Sequence, residues 1–126
     1  MHCLIGGAGD DFIFGGLQAD RILGGTGNDT IYANGGDDFI DSGAGLDSVW
    51  LGAGAATVVL AAGEGYDTIN GFQLGATKFK VSSLENLHFA DSVQGAQIFQ
   101  NHDLLAVVSW QQASTISSNV SGIFVV

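Results

Sequence analysis

The chain has 126 residues, 20 of them glycine and none proline, with 13 acidic against 3 basic side chains and a formal net charge of −10. That length admits one domain or a fragment of a longer chain. So few cations disfavour nucleic acid, whose phosphates are met by Lys and Arg, a single cysteine excludes an internal disulfide, and no apolar stretch approaches a membrane span.

The opening MHCLIGGAG lacks the basic region and long apolar run of a signal peptide. From Gly6 the chain reads in blocks of nine: GGAGDDFIF (6–14), GGLQADRIL (15–23), GGTGNDTIY (24–32), ANGGDDFID (33–41) and SGAGLDSVW (42–50). An aspartate holds the sixth place of every block: Asp11, Asp20, Asp29, Asp38 and Asp47. A β-branched aliphatic holds the eighth: Ile13, Ile22, Ile31, Ile40 and Val49. Run backwards, the period puts His2 at the aspartate place and Leu4 at the aliphatic one. The chain therefore opens partway through a block, as the C-terminal piece of a longer array or as a degenerate cap, with the first preferred. His2 reads as a bystander or a weak metal ligand, and Cys3 as a strand residue without a role.

Each block has two tasks. Its first six residues turn, because glycines permit positive φ and carbonyls that point inward. Its last three form a short strand whose flanking side chains face one way and whose central aliphatic faces the other. The five aliphatics would stack as one narrow core. Gln18 replaces a glycine in the second block, and Ala33 and Asn34 replace two in the fourth, where asparagine still tolerates the left-handed region. Asp10, Asp37 and Asp41 fall off the register and read as solvent-facing.

Block LGAGAATVV (51–59) keeps Val58 but has Ala56 in place of the aspartate. Leu60 and Ala61 read as a two-residue insertion, and the period resumes as AGEGYDTIN (62–70) with Asp67 and Ile69 in place. Asp67 follows Asp47 by twenty residues rather than eighteen, so its stacking is less secure. After Gly71-Phe72 the repeat stops. Strands are expected near 78–82, 86–90, 96–100, 104–110 and 122–126, with a hairpin turning at Asn101–Asp103 and a short helix within 111–120. Open ends of repeat stacks expose core and strand edges, so this half should cap them.

The blocks resemble the nonapeptide G-G-x-G-x-D-x-U-x of RTX (hemolysin-type calcium-binding) proteins, with 6–14 and 24–32 matching at every defined place. The resemblance implies an all-β fold: a right-handed parallel β-roll over 1–72, with a β-rich C-terminal cap over 73–126. In that family two blocks make one coil, so residues eighteen apart lie above one another. Asp11, Asp29 and Asp47 would line one edge, and Asp20 and Asp38 the other. Stacked carboxylates repel unless a cation sits between them, and calcium takes six to eight oxygens, carboxylate and carbonyl alike. The family adds carbonyls from the first and third places of the turn, here Gly6 and Ala8, Gly15 and Leu17, Gly24 and Thr26. That gives about three full calcium sites, Asp11/Asp29, Asp20/Asp38 and Asp29/Asp47. Half sites His2/Asp20 and Asp38/Ala56 flank them, and Asp47/Asp67 is a further candidate.

The closing half is similar to the C-terminal tails of cyanobacterial-type RTX proteins. The resemblance implies a secreted, extracellular bacterial chain, an upstream domain, and a type I secretion signal read by its export machinery. No catalytic constellation stands out. H-E-x-x-H and G-x-S-x-G are absent, His2, His88 and His102 are isolated, and Glu64 and Glu85 lack a partner. The expected function is a non-enzymatic, calcium-driven folding and secretion module. The alternative is an adhesion or surface-binding module whose flat face contacts glycan, ice or a cell surface. With threonine at the seventh place in Thr30, Thr57 and Thr68 but not in the other blocks, ice is disfavoured.

Overall fold

The structure, a computed structural model, describes residues 2–52, 54–60 and 65–126. The His2 side chain, Ala61 and Glu64 lie outside the described residues. Along the repeats run β1 (His2–Ile5), β2 (Phe12–Phe14), β3 (Asp20–Leu23), β4 (Thr30–Asn34), β5 (Phe39–Asp41), β6 (Asp47–Leu51), β7 (Thr57–Val59) and β8 (Asp67–Asn70). Then follow β9 (Lys78–Lys80), β10 (Leu87–Asp91), β11 (Gly95–Gln100) and β12 (Asp103–Ser109). Helices α1 (Ala113–Ser117) and α2 (Val120–Ile123) lead to β13 (Phe124–Val125).

Alternate strands join alternate sheets. One sheet orders β1-β3-β5-β7-β9-β13, and the other β10-β11-β12-β8-β6-β4-β2. Every pairing in the first is parallel, as are those from β2 to β12 in the second. This is a parallel β-solenoid in which one coil takes two blocks. Ile13 pairs with Ile31, and Ile31 with Val49. On the facing sheet Leu4, Ile22, Ile40, Val58, Phe79 and Phe124 follow in line. The eighth-place side chains are buried, Ile22, Ile31, Ile40 and Val49 fully so. Period-two alternation thus sends one residue per block inward and leaves its flanks to solvent.

Both sheets run on past residue 72, although the nonapeptide pattern has ended. β9 extends one with Phe79 at the core place, and β12 extends the other, with Val108 paired to Ile69. β12, β11 and β10 then form an antiparallel meander whose β11–β12 turn lies at Asn101 and His102. The expected strand over 122–126 is shorter. Val120–Ile123 is helical, burying Ile123, and only Phe124–Val125 is extended. His88 is exposed on β10, its ring edge-on to Phe99 at 5.4 Å. Cys3 is an exposed free thiol. No helix among the described residues is long and apolar enough to cross a membrane.

Candidate metal centres

The turns between strands stack along the two edges of the coil. Gly25 shows why they need glycine. Its φ is +90°, and a Cβ there would collide with the Gly7 carbonyl of the preceding coil. Such close approach brings successive turns into a continuous backbone ladder.

Each sixth-place aspartate starts a strand or lies just before it, and its carboxylate turns inward. Asp29 Oδ1 accepts from the Asp11 amide at 2.9 Å, Asp38 Oδ1 from Asp20 at 2.8 Å, and Asp47 Oδ1 from Asp29 at 2.7 Å. Each bond spans eighteen residues, so it joins one coil to the next. The second oxygen is different. Oδ2 of Asp11, Asp29, Asp38 and Asp47 is buried with no hydrogen-bond partner. In the Asp11 turn that oxygen faces the first glycine of its own block. A Cβ on Gly6 would lie 2.8 Å from Asp11 Oδ2 and 2.7 Å from the Gly24 carbonyl oxygen. Gly24 stands in the same way against Asp29 Oδ2, at 2.8 Å, and the Ser42 carbonyl. On the other edge Gly15 meets Asp20 Oδ2 at 3.1 Å and the Ala33 carbonyl at 2.5 Å. Asp20 Oδ2 also accepts from the Gly16 amide at 2.8 Å.

The structure therefore gathers Gly6, Asp11, Gly24, Asp29 and Ser42 on one edge, and Gly15, Asp20, Ala33 and Asp38 on the other. The carbonyls of Ala33 and Ser42 were missed in the sequence, although each holds the first place of its block. Ala8, Leu17 and Thr26 lie exposed on the turns, with the Leu17 carbonyl stacked near Gly35. Asp67 pairs with Asp47 in register despite the longer spacing. The half site at His2 keeps the backbone register His2 to Asp20, and Ala56 is buried where an aspartate would stand.

One expectation is corrected. Asp10 and Asp37 are exposed, yet they are not off register. Asp10 Oδ1 accepts from the Asn28 amide at 2.8 Å and Asp37 Oδ1 from Ala55 at 3.0 Å, each eighteen residues on. Asn28 Oδ1 continues this second ladder to Leu46. Asp41 Oδ1 accepts from nearby Gly43 at 3.1 Å.

Burial without a counter-charge perturbs the carboxyls. It pushes Asp67 up to about 8, with Asp47 beside it adding repulsion. Asp38 and Asp47 rise to about 6, again through burial first, with Asp20 and Asp29 as their respective like-charged neighbours. Asp29 is raised for the same reason. The basic residues serve elsewhere: Arg21 lies over the Phe39 ring at 5.0 Å, and Lys78 Nζ donates to the Gly122 carbonyl. A buried carboxylate oxygen with no donor is costly, and a cation between oxygens would remove that cost. No three His, Cys, Asp or Glu side chains converge as metal ligands among the described residues. A cation here would have to draw on backbone carbonyls, which suits calcium better than zinc.

The family model for the RTX calcium-binding nonapeptide repeat (4 copies) matches residues 4–31, 15–49 and 23–58. The chain carries RTX calcium-binding repeats. The solution structure of the AlgE6R3 subunit from the Azotobacter vinelandii mannuronan C5-epimerase is similar, with a TM-score of 0.69 at 25% identity, over 93% of this chain and 78% of that one. No curated protein matches. The RTX array spans β1 to β7, so the carboxylate ladders and the matched repeats coincide.

Proposed function

We propose that this RTX module is a calcium-dependent folding unit of a secreted bacterial protein, supporting export and the stability of a longer chain. The observation that carries the reading is the set of buried, unpartnered carboxylate oxygens on Asp11, Asp29, Asp38 and Asp47, the first two facing glycines too crowded for a Cβ. Calcium between coils would meet Asp11/Asp29, Asp20/Asp38 and Asp29/Asp47, with turn carbonyls completing its oxygens. The in-register pair Asp47/Asp67 supports a further site. The first-place carbonyls of Gly6, Gly15 and Gly24 take part with those of Ala33 and Ser42, and the third-place carbonyls of Ala8, Leu17 and Thr26 complete the set. Residues 73–126 act as the cap and carry the type I secretion signal. Catalysis, where the parent protein has any, belongs to an upstream domain.

The reading supplies a sequence of events. In low cytosolic calcium the aspartates repel and the roll stays open, and in high extracellular calcium it closes. Circular dichroism of the 126-residue chain in chelator and then in millimolar calcium tests it. A gain of β signal and of thermal stability is expected. A roll fully formed in chelator and indifferent to calcium would refute it.

A further inference from the structure

The outer face of the sheet containing β2, β4, β6 and β8 carries a row of rings that the calcium sites do not use. Phe14, Tyr32 and Trp50 end the strand triplets of successive coils and pair in register. Their centroids stand 5.0 and 6.0 Å apart, with planes 5° and 11° from parallel. The next place in the row is Asn70, paired to Trp50. The stack stops there, and the side of Trp50 away from Tyr32 borders a groove of about 390 Å³. Tyr66 and Trp110 are its other aromatic walls, and Asn70, Gln94 and Ser109 are among its polar ones. None of the described residues that line it is charged, on a chain of net charge −10.

Trp110 stands out for two independent reasons. Its side chain is 89% exposed, and its backbone sits at φ 66°, in the left-handed region. A bulky residue is strained there, and such outliers cluster at ligand clamps. Its backbone amide donates to the Gln94 carbonyl at 3.2 Å, and its side chain lines the groove.

Indole and phenol rings set among amides and a hydroxyl, without charge, suit an uncharged sugar. Its C–H face packs on a ring while its hydroxyls exchange hydrogen bonds with the amides. A polyanion would meet repulsion and no cation. A protein partner would need a patch on the order of 800 Å² per side, more than this narrow groove offers. We propose that the groove between Trp50 and Trp110 is a binding site for a neutral glycan. This goes beyond the calcium reading, which enters only through the folded state.

The test is calorimetric titration and tryptophan fluorescence on the calcium-loaded 126-residue chain. The probes are uncharged hexasaccharides of glucose, mannose and galactose, with a hexauronate for comparison. At least one uncharged hexamer is expected to bind and shift the emission, and the hexauronate to bind more weakly. Trp110→Ala should weaken binding about tenfold or more, the equivalent of roughly 1.4 kcal/mol. Its circular dichroism in calcium should stay unchanged, because the ring is exposed. Gln94→Ala should weaken binding too. Phe12→Ala, exposed on the same sheet outside the groove, should leave it intact. The proposal is overturned if no uncharged hexamer binds at millimolar concentration, if the hexauronate binds as tightly, or if Trp110→Ala binds like the parent. Sedimentation showing self-association that Trp110→Ala abolishes would overturn it as well, since the groove would then serve a second copy.

Discussion

Asp29 accepts a hydrogen bond from one coil and donates its own amide to the carboxylate of the next. It also belongs to two of the proposed calcium sites. Asp29→Ala should lower apparent calcium affinity about tenfold or more, since affinity follows ligand charge, whereas Asp10→Ala removes one exposed backbone bond worth about 1 kcal/mol. Equal effects in a calcium titration would dismiss the register. Gly24→Ala is a sharper probe, because its Cβ would strike the Ser42 carbonyl and crowd Asp29 Oδ2. It should cost about 1–3 kcal/mol by overpacking, while Gly122→Ala, which meets nothing within 4 Å, should be close to neutral in thermal melts. The raised carboxyls set the pH response. In the calcium-free fold Asp38 and Asp47 stand near 6 and Asp67 near 8, against an ordinary 3.8. The folded chain thus holds protons that the unfolded chain has released. That stabilisation is complete below 3.8 and is lost as pH rises through about 6 and then about 8. In chelator the chain should therefore gain β signal in circular dichroism as pH falls from 8 to 5, while calcium affinity rises in the opposite direction because calcium and protons compete for the carboxylates.

At the scale of elements, β9 and β12 cover the last coil, pairing with β7 and β8. Deleting 73–126 would uncover Val58 and Ile69, both fully buried here. The shortened chain should bind calcium poorly or aggregate, and a monomeric, calcium-folded 1–72 in sedimentation would show that no cap is needed. The repeat strands were legible because two residue types share one period, which leaves a single register for the aliphatics. The parallel pairing of β9 was not legible: Phe79 follows Val58 by 21 residues, with no turn glycines in phase to announce it. Asp67 was hard to place for a related reason, and its pairing with Asp47 shows that the register is kept across the longer spacing. The exposed second ladder escaped notice because Asp10 and Asp37 look like ordinary turn residues until their cross-coil amides are placed. Alternation in GIFVV read as a strand, but Ile123 reaches the core from a helical turn.

The molecule as a whole has a thin core, about one aliphatic per block, and many glycines whose ordering is entropically costly. Calcium that binds the folded state alone would add roughly 2.7 kcal/mol per site at a hundredfold excess over Kd. Shared ligands should make the transition steep, and magnesium should substitute poorly because it demands near-octahedral geometry. Parallel titrations with the two ions, followed by circular dichroism, would show both features, and equal potency would exclude the proposed sites. The two hydrogen-bond ladders also give the stack a grain. Inside the coil, each carboxylate reaches back to the amide of the coil before it, and on the surface Asp10, Asn28 and Asp37 reach forward. Neighbouring coils are thus latched in opposite senses at two depths, so sliding one past another by a residue breaks both latches together. A slipped register has no half-way state to rest in, and errors of assembly should be rejected coil by coil.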